Sequence, residues 1–131
     1  MDKYFYPAIF HKSEEGGYWI TFPDFPECMT QGEMIEDSYR MAIEALGLCI
    51  DDRLKNKQDL PTATAPTDYT FDDGDFSCLI EFDLTEYRRR HNSKVVKKTL
   101  TIPEWLNEAA CEKNINFSQV LKEALIAKLE V

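Results

Sequence analysis

The sequence contains no apolar run close to the roughly 18 residues that a membrane-spanning helix needs. It also lacks the pattern of a secretory leader, because Met1-Asp2-Lys3-Tyr4 leads directly into alternating aromatic and aliphatic residues. We therefore expect no membrane partner and a cytoplasmic location. With 44% hydrophobic residues among 131, the chain has enough apolar side chains for one domain or two small ones.

The sequence is also poor in residues that bind metals or act as nucleophiles. None of its four cysteines belongs to a C-x-x-C pair, so we expect reduced, mostly buried thiols and neither a zinc site nor a disulfide framework. No recognisable motif places a Cys or Ser near either of its two histidines, so each is predicted to be a surface or hydrogen-bonded histidine. These residues are Cys28, Cys49, Cys78, Cys111, His11 and His91. No cofactor is expected.

Charge is divided unevenly along the chain. Residues 1–87 hold six Lys/Arg against 19 Asp/Glu, a net charge of −13, whereas residues 88–131 hold nine against five, a net charge of +4. Residues 88–103 contain no acidic side chain and six basic ones, and such a local field attracts phosphate. The basic residues are Arg88, Arg89, Arg90, Lys94, Lys97 and Lys98. The two halves are therefore predicted to have different partners.

The first half begins with a predicted β-hairpin. Strand-forming residues at 3–11 and 17–22 are separated by a turn sequence with two adjacent glycines. Pro23 and Pro26 are expected to end the second strand, because proline cannot donate to a strand ladder. They leave room only for a short third strand at residues 28–30.

A helix and a fourth strand complete the first half. Apolar residues at helical spacing, with acidic residues before them and basic residues after them, predict a helix over residues 33–55 with one face on the sheet. Residues 60–66 are expected to form an extended connection, residues 72–75 a solvated turn, and residues 77–82 the last strand. The order β-β-β-α-β predicts a small α+β domain.

The aspartates of this half offer an alternative function. Carboxylates can hold two metal ions for phosphodiester cleavage. The chain would then be a metal-dependent ribonuclease that is tethered to DNA by its basic second half, residues 88–131. However, Asp51 and Asp52 are adjacent late in a helix and point in different directions, and residues 72–75 lie on a loop that would not hold an ion in place. We therefore expect a solvated acidic surface with no metal and no catalytic residue. The aspartates are Asp24, Asp51, Asp52, Asp72, Asp73, Asp75 and Asp83.

The second half begins with a predicted strand over residues 95–101 that has two different faces. Lys97, Thr99 and Thr101 fall on one face, and Val96, Lys98, Leu100 and Ile102 fall on the other. The first face is polar and the second is largely apolar, with Lys98 as the exception. The Lys98 ammonium can extend to the edge of the strand, where it would contact phosphate.

Two helices follow this strand. Pro103 suits the first turn of a helix that is expected to run to Lys113 and to end at Asn114 in the left-handed conformation. Asn116 begins a capping box with Gln119 and so starts a second helix. The apolar face of this helix consists of Phe117, Val120, Leu121, Ala124, Leu125 and Leu129.

One strand and two short helices cannot bury this apolar surface or pair the strand alone. If two copies pair their strands antiparallel, they form a two-stranded ribbon over a shared four-helix core, and such a ribbon fits the major groove of DNA. We therefore predict a β-α-α module that dimerises and binds DNA. The plainer alternative is an αα-hairpin whose strand serves only for dimerisation.

The segment Lys97-Lys98-Thr99-Leu100-Thr101-Ile102-Pro103 is similar to the strand of ribbon-helix-helix repressors, in which alternate residues contact base edges. The resemblance implies that Lys97, Thr99 and Thr101 contact DNA bases. It also implies phosphate contacts from Asn116 and Ser118 at the start of the second helix. Lys94 and Lys98 are expected to contact phosphates as well.

Several short motifs occur in order along the whole chain. They are Glu15-Gly16-Gly17-Tyr18, Phe22-Pro23-Asp24-Phe25-Pro26, Thr30-Gln31-Gly32-Glu33, Leu60-Pro61, Ile102-Pro103-Glu104-Trp105-Leu106-Asn107 and Asn116-Phe117-Ser118. In this order and spacing they resemble the HicB antitoxins of bacterial type II toxin–antitoxin systems, in the form that carries a ribbon-helix-helix tail.

The resemblance implies that residues 1–87 form a degenerate ribonuclease H-like domain that binds and neutralises a HicA-type toxin, a small basic ribonuclease that cleaves mRNA. It implies that residues 94–131, after a basic linker at residues 88–93, form a homodimer that binds operator DNA and represses the operon encoding both proteins. The charge of −13 on the first half is complementary to a basic ribonuclease. The sequence leaves open whether the toxin contacts the sheet, residues 24–33 or the helix.

Overall fold

The computed structural model describes residues 2–65, 67–69 and 71–131, and the chain divides into two compact units, residues 2–91 and residues 92–131. Within the described residues, the first unit has four strands and two helices, and the second unit has two helices. In chain order they are β1 (Lys3–Lys12), β2 (Tyr18–Phe22), β3 (Phe25–Gly32), α1 (Ile35–Lys55), β4 (Phe76–Asp83), α2 (Leu84–His91), α3 (Glu104–Glu112) and α4 (Phe117–Leu129).

The four strands form one antiparallel sheet in the order β3-β2-β1-β4. The predicted hairpin is confirmed as β1 and β2, in which Phe10 pairs with Ile20. β4 returns along the other side of β1, where Tyr6 pairs with Ile80. The α+β class and the order β-β-β-α-β are therefore as predicted, with α2 as an additional element.

The third strand is longer than predicted. It was expected at residues 28–30 only, but β3 begins at Phe25 and continues to Gly32 with Pro26 inside it. Pro26 is exposed, and β3 is an edge strand of the sheet. A proline is tolerated there because the missing N–H can face solvent. The turn between β2 and β3 therefore needs only Pro23 and Asp24, and the register shifts between Thr21 and Phe22 at this point.

The core of the first unit lies between α1 and one face of the sheet. Alternate residues of the strands point into it, and α1 contributes residues three or four positions apart. The buried apolar residues are Tyr6, Ala8, Phe10, Ile20, Phe22, Phe25, Cys28, Ala42, Leu46, Ile50, Ile80, Phe82, Leu84 and Tyr87. The Asp37 carboxylate accepts hydrogen bonds from the backbone amides of Glu33 and Met34 at 3.0 and 2.6 Å. These bonds hold the pKa of Asp37 below its ordinary value and anchor the start of α1.

Side-chain hydrogen bonds hold the connection after α1 against the rest of the first unit. Tyr6 Oη donates to the carbonyl oxygen of Pro61 at 2.6 Å. The Asp24 carboxylate accepts hydrogen bonds from the backbone amide and the hydroxyl of Thr64, at 3.1 and 2.5 Å. Residues 60–65 form neither helix nor strand, as predicted, and Pro66 at the end of the predicted connection lies outside the described residues.

Helix α2 was not predicted from the sequence. The basic linker was predicted at residues 88–93, but residues 88–91 form the last turn of α2. The Tyr87 ring is buried and packs edge-on against Phe82, with 5.4 Å between ring centroids. Gly47 makes this packing possible, because a Cβ there would lie 2.5 Å from Phe82 Cε1 and 2.9 Å from Tyr87 Cδ2. A linker therefore begins no earlier than Asn92.

The second unit contains the two predicted helices and no buried residue. Asn114 adopts the predicted left-handed conformation, with φ 55°, between α3 and α4. Asn116 Oδ1 accepts a hydrogen bond from the Gln119 amide at 3.0 Å, which confirms the first bond of the predicted capping box. The Gln119 side chain instead donates to Glu123 at 2.8 Å, and no described hydrogen bond joins it to the Asn116 amide. Residues 92–103 form neither helix nor strand in the single chain. A strand over residues 95–101 would need hydrogen bonds from a second chain, so it stays a prediction.

All four cysteines are free thiols, as predicted, but their burial differs. Only Cys28 is fully buried, whereas Cys49 and Cys78 are partly buried and Cys111 is exposed. Burial strongly raises the pKa of the Cys28 thiol, and the neighbouring Cys49 adds to this effect. Cys28 is therefore a packing residue and a weak nucleophile.

Candidate functional site

The face of the sheet opposite α1 carries apolar side chains although no described element covers it. These residues alternate with those of the core: Phe5 is followed by buried Tyr6, and Trp19 precedes buried Ile20. The exposed fractions are 47% for Phe5, 43% for Trp19, 63% for Met29 and 47% for Leu79. We call this surface, which also includes Pro7, Ile9 and His11 of β1, the open sheet face.

A cavity of about 370 Å³ lies at one end of the open sheet face. The His11 and Trp19 rings, which form part of its wall, stack with 3.8 Å between centroids. His11 Nδ1 lies 3.1 Å from Asp75 Oδ2, and His11 Nε2 lies 2.9 Å from Thr21 Oγ1. Both ring nitrogens are therefore engaged, as predicted for a hydrogen-bonded histidine. The cavity is lined by His11, Lys12, Ser13, Glu14, Trp19, Asp72, Asp73 and Asp75.

The first unit remains acidic when the basic residues of α2 are counted with it. Residues 2–91 hold nine Lys/Arg against 19 Asp/Glu, a net charge of −10, and residues 92–131 hold six against five, a net charge of +1. Arg88 lies 3.5 Å from the buried carboxylate of Asp51, and Arg90 lies 3.0 Å from the partly exposed carboxylate of Glu44. These two arginines, counted above in the phosphate-attracting run, are paired within the first unit.

The aspartates considered for metal binding have other partners. Asp24 holds Thr64, and Asp51 is paired with Lys55 at 2.9 Å and with Arg88. Asp52 is exposed on α1 and contacts the Asn56 amide at 3.3 Å. Within residues 2–65, 67–69 and 71–131, no group of three or more His, Cys, Asp or Glu side chains is arranged to hold a metal ion. The ribonuclease alternative gains no support from this arrangement.

The predicted DNA-contacting residues are all exposed and lie in two places. The segment before α3 carries Lys94, Lys97, Lys98, Thr99 and Thr101. The start of α4 carries Asn116 and Ser118. Among the described residues, no hydrogen bond or ion pair joins these two places. Asn116 Oδ1 already serves as the helix cap. Its role at a phosphate would therefore be to hold the first amides of α4 in position.

No helix in the described part of the chain has both the length and the apolar character needed to cross a bilayer.

Comparisons with known proteins place the whole chain in one family. A family model described as HicB-like antitoxin of bacterial toxin–antitoxin system matches residues 6–129. Antitoxin HicB 1 of Photorhabdus laumondii is 38% identical over 56 residues, which are 43% of this chain and 36% of that protein. Antitoxin HicB of Escherichia coli K12 is 34% identical over 56 residues, which are 43% of this chain and 41% of that protein. Each alignment therefore spans less than half of the curated relative.

Solved structures match a larger share of the chain. A chain of a toxin–antitoxin complex from Streptococcus pneumoniae has a TM-score of 0.60 at 29% identity, with 96% of this chain and 99% of that chain covered. Antitoxin HicB of Burkholderia pseudomallei has a TM-score of 0.56 at 21% identity, with 96% and 98% covered, which indicates a shared fold. The family match runs through both units, and the chain therefore belongs to the HicB-like antitoxins of bacterial toxin–antitoxin systems.

Proposed function

We propose that this chain binds and neutralises a HicA-type toxin through its first unit and represses its own operon through its second. The observation that carries the proposal is the family match over residues 6–129. A chain of the HicA3–HicB3 toxin–antitoxin complex, matched at 27% identity and a TM-score of 0.51, supports a toxin partner. That match covers 61% of this chain and 99% of that one. The first unit would then be the partial ribonuclease H-like fold implied by the sequence resemblance.

Charge favours the same partner for the first unit. A ribonuclease that binds RNA presents a basic surface, and a unit with a net charge of −10 attracts such a surface over long range. Attraction of this kind raises the rate of association and competes directly with RNA. The proposed role is inhibition by binding, and it needs no catalytic group in this chain.

This absence of catalysis is testable. Purified chain free of toxin should leave RNA intact in Mg²⁺ or Mn²⁺, because Asp24, Asp51 and Asp52 are not arranged as a metal site. A labelled mRNA fragment, incubated with the protein and analysed on a denaturing gel, provides the measurement. Cleavage that disappears in Asp24→Asn or Asp52→Asn would instead establish the ribonuclease.

The exposure of apolar residues in the second unit supports a ribbon-helix-helix dimer. None of residues 92–131 is buried in the single chain, and Leu100, Val120 and Leu125 are 58%, 51% and 50% exposed. Apolar side chains that are this exposed, on α4 and on the segment that precedes α3, need a partner that covers them. A second copy would cover them and would pair residues 95–101 antiparallel with their own equivalents. Lys97, Thr99 and Thr101 would then line the outer face of the ribbon.

Operator binding tests these base contacts. Lys97→Ala and Thr99→Ala should each weaken binding to the operator by about 1–3 kcal/mol without dissociating the dimer, because each removes a contact in the major groove. Fluorescence anisotropy on a labelled operator fragment measures the effect, with Lys122→Ala on α4 as a charge-matched control for Lys97→Ala. Lys98→Ala decides whether Lys98 contacts phosphate, since the loss of a phosphate contact would make operator binding less dependent on salt. Unchanged binding in both Lys97→Ala and Thr99→Ala would place the ribbon outside the groove.

A further inference from the structure

Strand β1 makes the open sheet face more apolar than a solvated sheet surface usually is, although Thr21, Gln31 and Glu81 of the other strands also lie on it. An antiparallel sheet with one face in water normally alternates apolar and polar residues along each strand. Here the residues of β1 that lie between the core residues are Phe5, Pro7, Ile9 and His11. The exposed apolar residues of this face are Phe5, Trp19, Met29 and Leu79, and such a group marks an interaction surface. Ile9 and His11 are partly buried, and Pro7 is buried.

The cavity at the end of this face is lined by four carboxylates and one lysine, Lys12, so its lining attracts a cation. The exposed part of the Trp19 ring offers an aromatic surface, and His11 holds that ring in place by stacking. Among the described ion pairs, none involves Glu14, Asp72 or Asp73, so these carboxylates have no protein cation bound to them. A guanidinium or ammonium group from a partner would contact both the ring and the carboxylates.

The outer side of α1 is the competing surface. Met41 and Leu48 are 45% and 63% exposed there, so it is also apolar. On this helix Glu44 pairs with Arg90 and His91, and Asp51 pairs with Lys55 and Arg88, whereas no described ion pair involves Glu36 or Asp52. Of the two surfaces, the open sheet face is the one whose unpaired carboxylates line a cavity beside an exposed aromatic ring, so a basic side chain gains more contacts there.

We propose that the basic toxin docks on the open sheet face and inserts an arginine or lysine side chain into the cavity between Trp19 and residues 72–75. This rests on the proposed antitoxin function and names the surface that carries it out. The apolar patch would supply the buried centre of the interface, and the carboxylates would orient the incoming toxin.

Tryptophan fluorescence tests the location directly, because the chain has only two tryptophans, Trp19 and Trp105. Trp105→Phe leaves Trp19 as the single reporter in the first unit, and Trp19→Phe leaves Trp105 in the second. The probe is a purified cognate HicA-type toxin, with its own tryptophans replaced. On complex formation the Trp19 emission should shift to the blue as the ring loses water, and the Trp105 emission should stay unchanged.

Matched charge variants test the cavity. Asp72→Asn/Asp73→Asn should weaken toxin binding about 10-fold and flatten its dependence on salt. The control is Glu36→Gln/Asp52→Asn on α1, which removes the same charge from the competing surface and should change binding less than about 2-fold. Thermal unfolding of each full-length variant verifies that the fold is retained.

The outcomes separate this proposal from the proposed function. If the toxin binds, the Trp19 emission stays constant and the α1 variant weakens binding, the docking surface is wrong and the antitoxin function stands. If the wild-type chain binds no toxin, both fail. If the Trp19 emission is already blue-shifted without toxin and Trp19→Lys lowers the oligomer mass, a second copy covers the face and the proposal is overturned.

Discussion

Replacing Leu125 with aspartate is expected to abolish dimerisation and, with it, operator binding. Leu125 is half exposed on α4 in the single chain and lies on the helix face that a second copy would cover. Burying an aspartate there without a counter-charge costs several kcal/mol, so the dimer dissociation constant should rise by a factor on the order of 100 or more. Sedimentation equilibrium and operator anisotropy measure the two losses.

A control on the same helix separates dimerisation from a general effect of aspartate. Lys122 is exposed and lies outside the apolar face of α4, so Lys122→Asp should leave the dimer mass unchanged. The unit at residues 2–91 should keep its thermal transition in both variants, because its core contains no residue of α4. A Leu125→Asp protein that remained dimeric would mean that another surface joins the two copies.

Phe82→Ala is expected to destabilise the first unit by about 3–5 kcal/mol, the range for removing a buried aromatic ring from a core. Phe82 is 1% exposed, packs against Tyr87 and lies beside Gly47, so its ring touches both α1 and α2. The cavity left behind would loosen α2 as well as the sheet. Urea unfolding of the full-length chain, monitored by Trp19 fluorescence in the Trp105→Phe background, measures the loss.

Leu79 provides the matched comparison on the same strand. It lies on the opposite face of β4 from Phe82 and is 47% exposed, so Leu79→Ala should cost less than about 1 kcal/mol of unfolding free energy. Its effect should appear in toxin binding instead, because Leu79 belongs to the open sheet face. Equal stability losses in the two variants would mean that the two faces of the sheet do not differ as described.

The elements that the sequence predicted correctly are those with a strong local signal. The hairpin follows from strand-forming residues on either side of a glycine turn, and β1 and β2 are found there. α1 follows from its apolar period and begins within two residues of the prediction. Asn114 adopts the left-handed conformation that asparagine favours, as predicted, and Asn116 caps α4 through its own side chain, which is one of the two bonds of the predicted capping box.

The features that the sequence did not predict depend on contacts between distant residues. α2 is short and basic, and it is held by Tyr87 against Gly47, 40 residues earlier in the chain. Pro26 signals a break unless β3 is known to be an edge strand, which depends on the sheet order. The His11–Asp75 contact joins residues 64 positions apart, so the cavity beside Trp19 has no local signature. The pairing of residues 95–101 depends on a second chain altogether.

No residue of the second unit is buried in the single chain, so in the proposed dimer its stability would depend on the concentration of the chain. The first unit has its own core, so its unfolding free energy does not depend on how much protein is present. For a unit that is ordered only as a dimer, each tenfold dilution of the chain lowers the stability of the ordered state by about 1.4 kcal/mol. Under the proposed function, dilution of the chain would therefore release the operator, whereas the first unit of each remaining copy would stay folded.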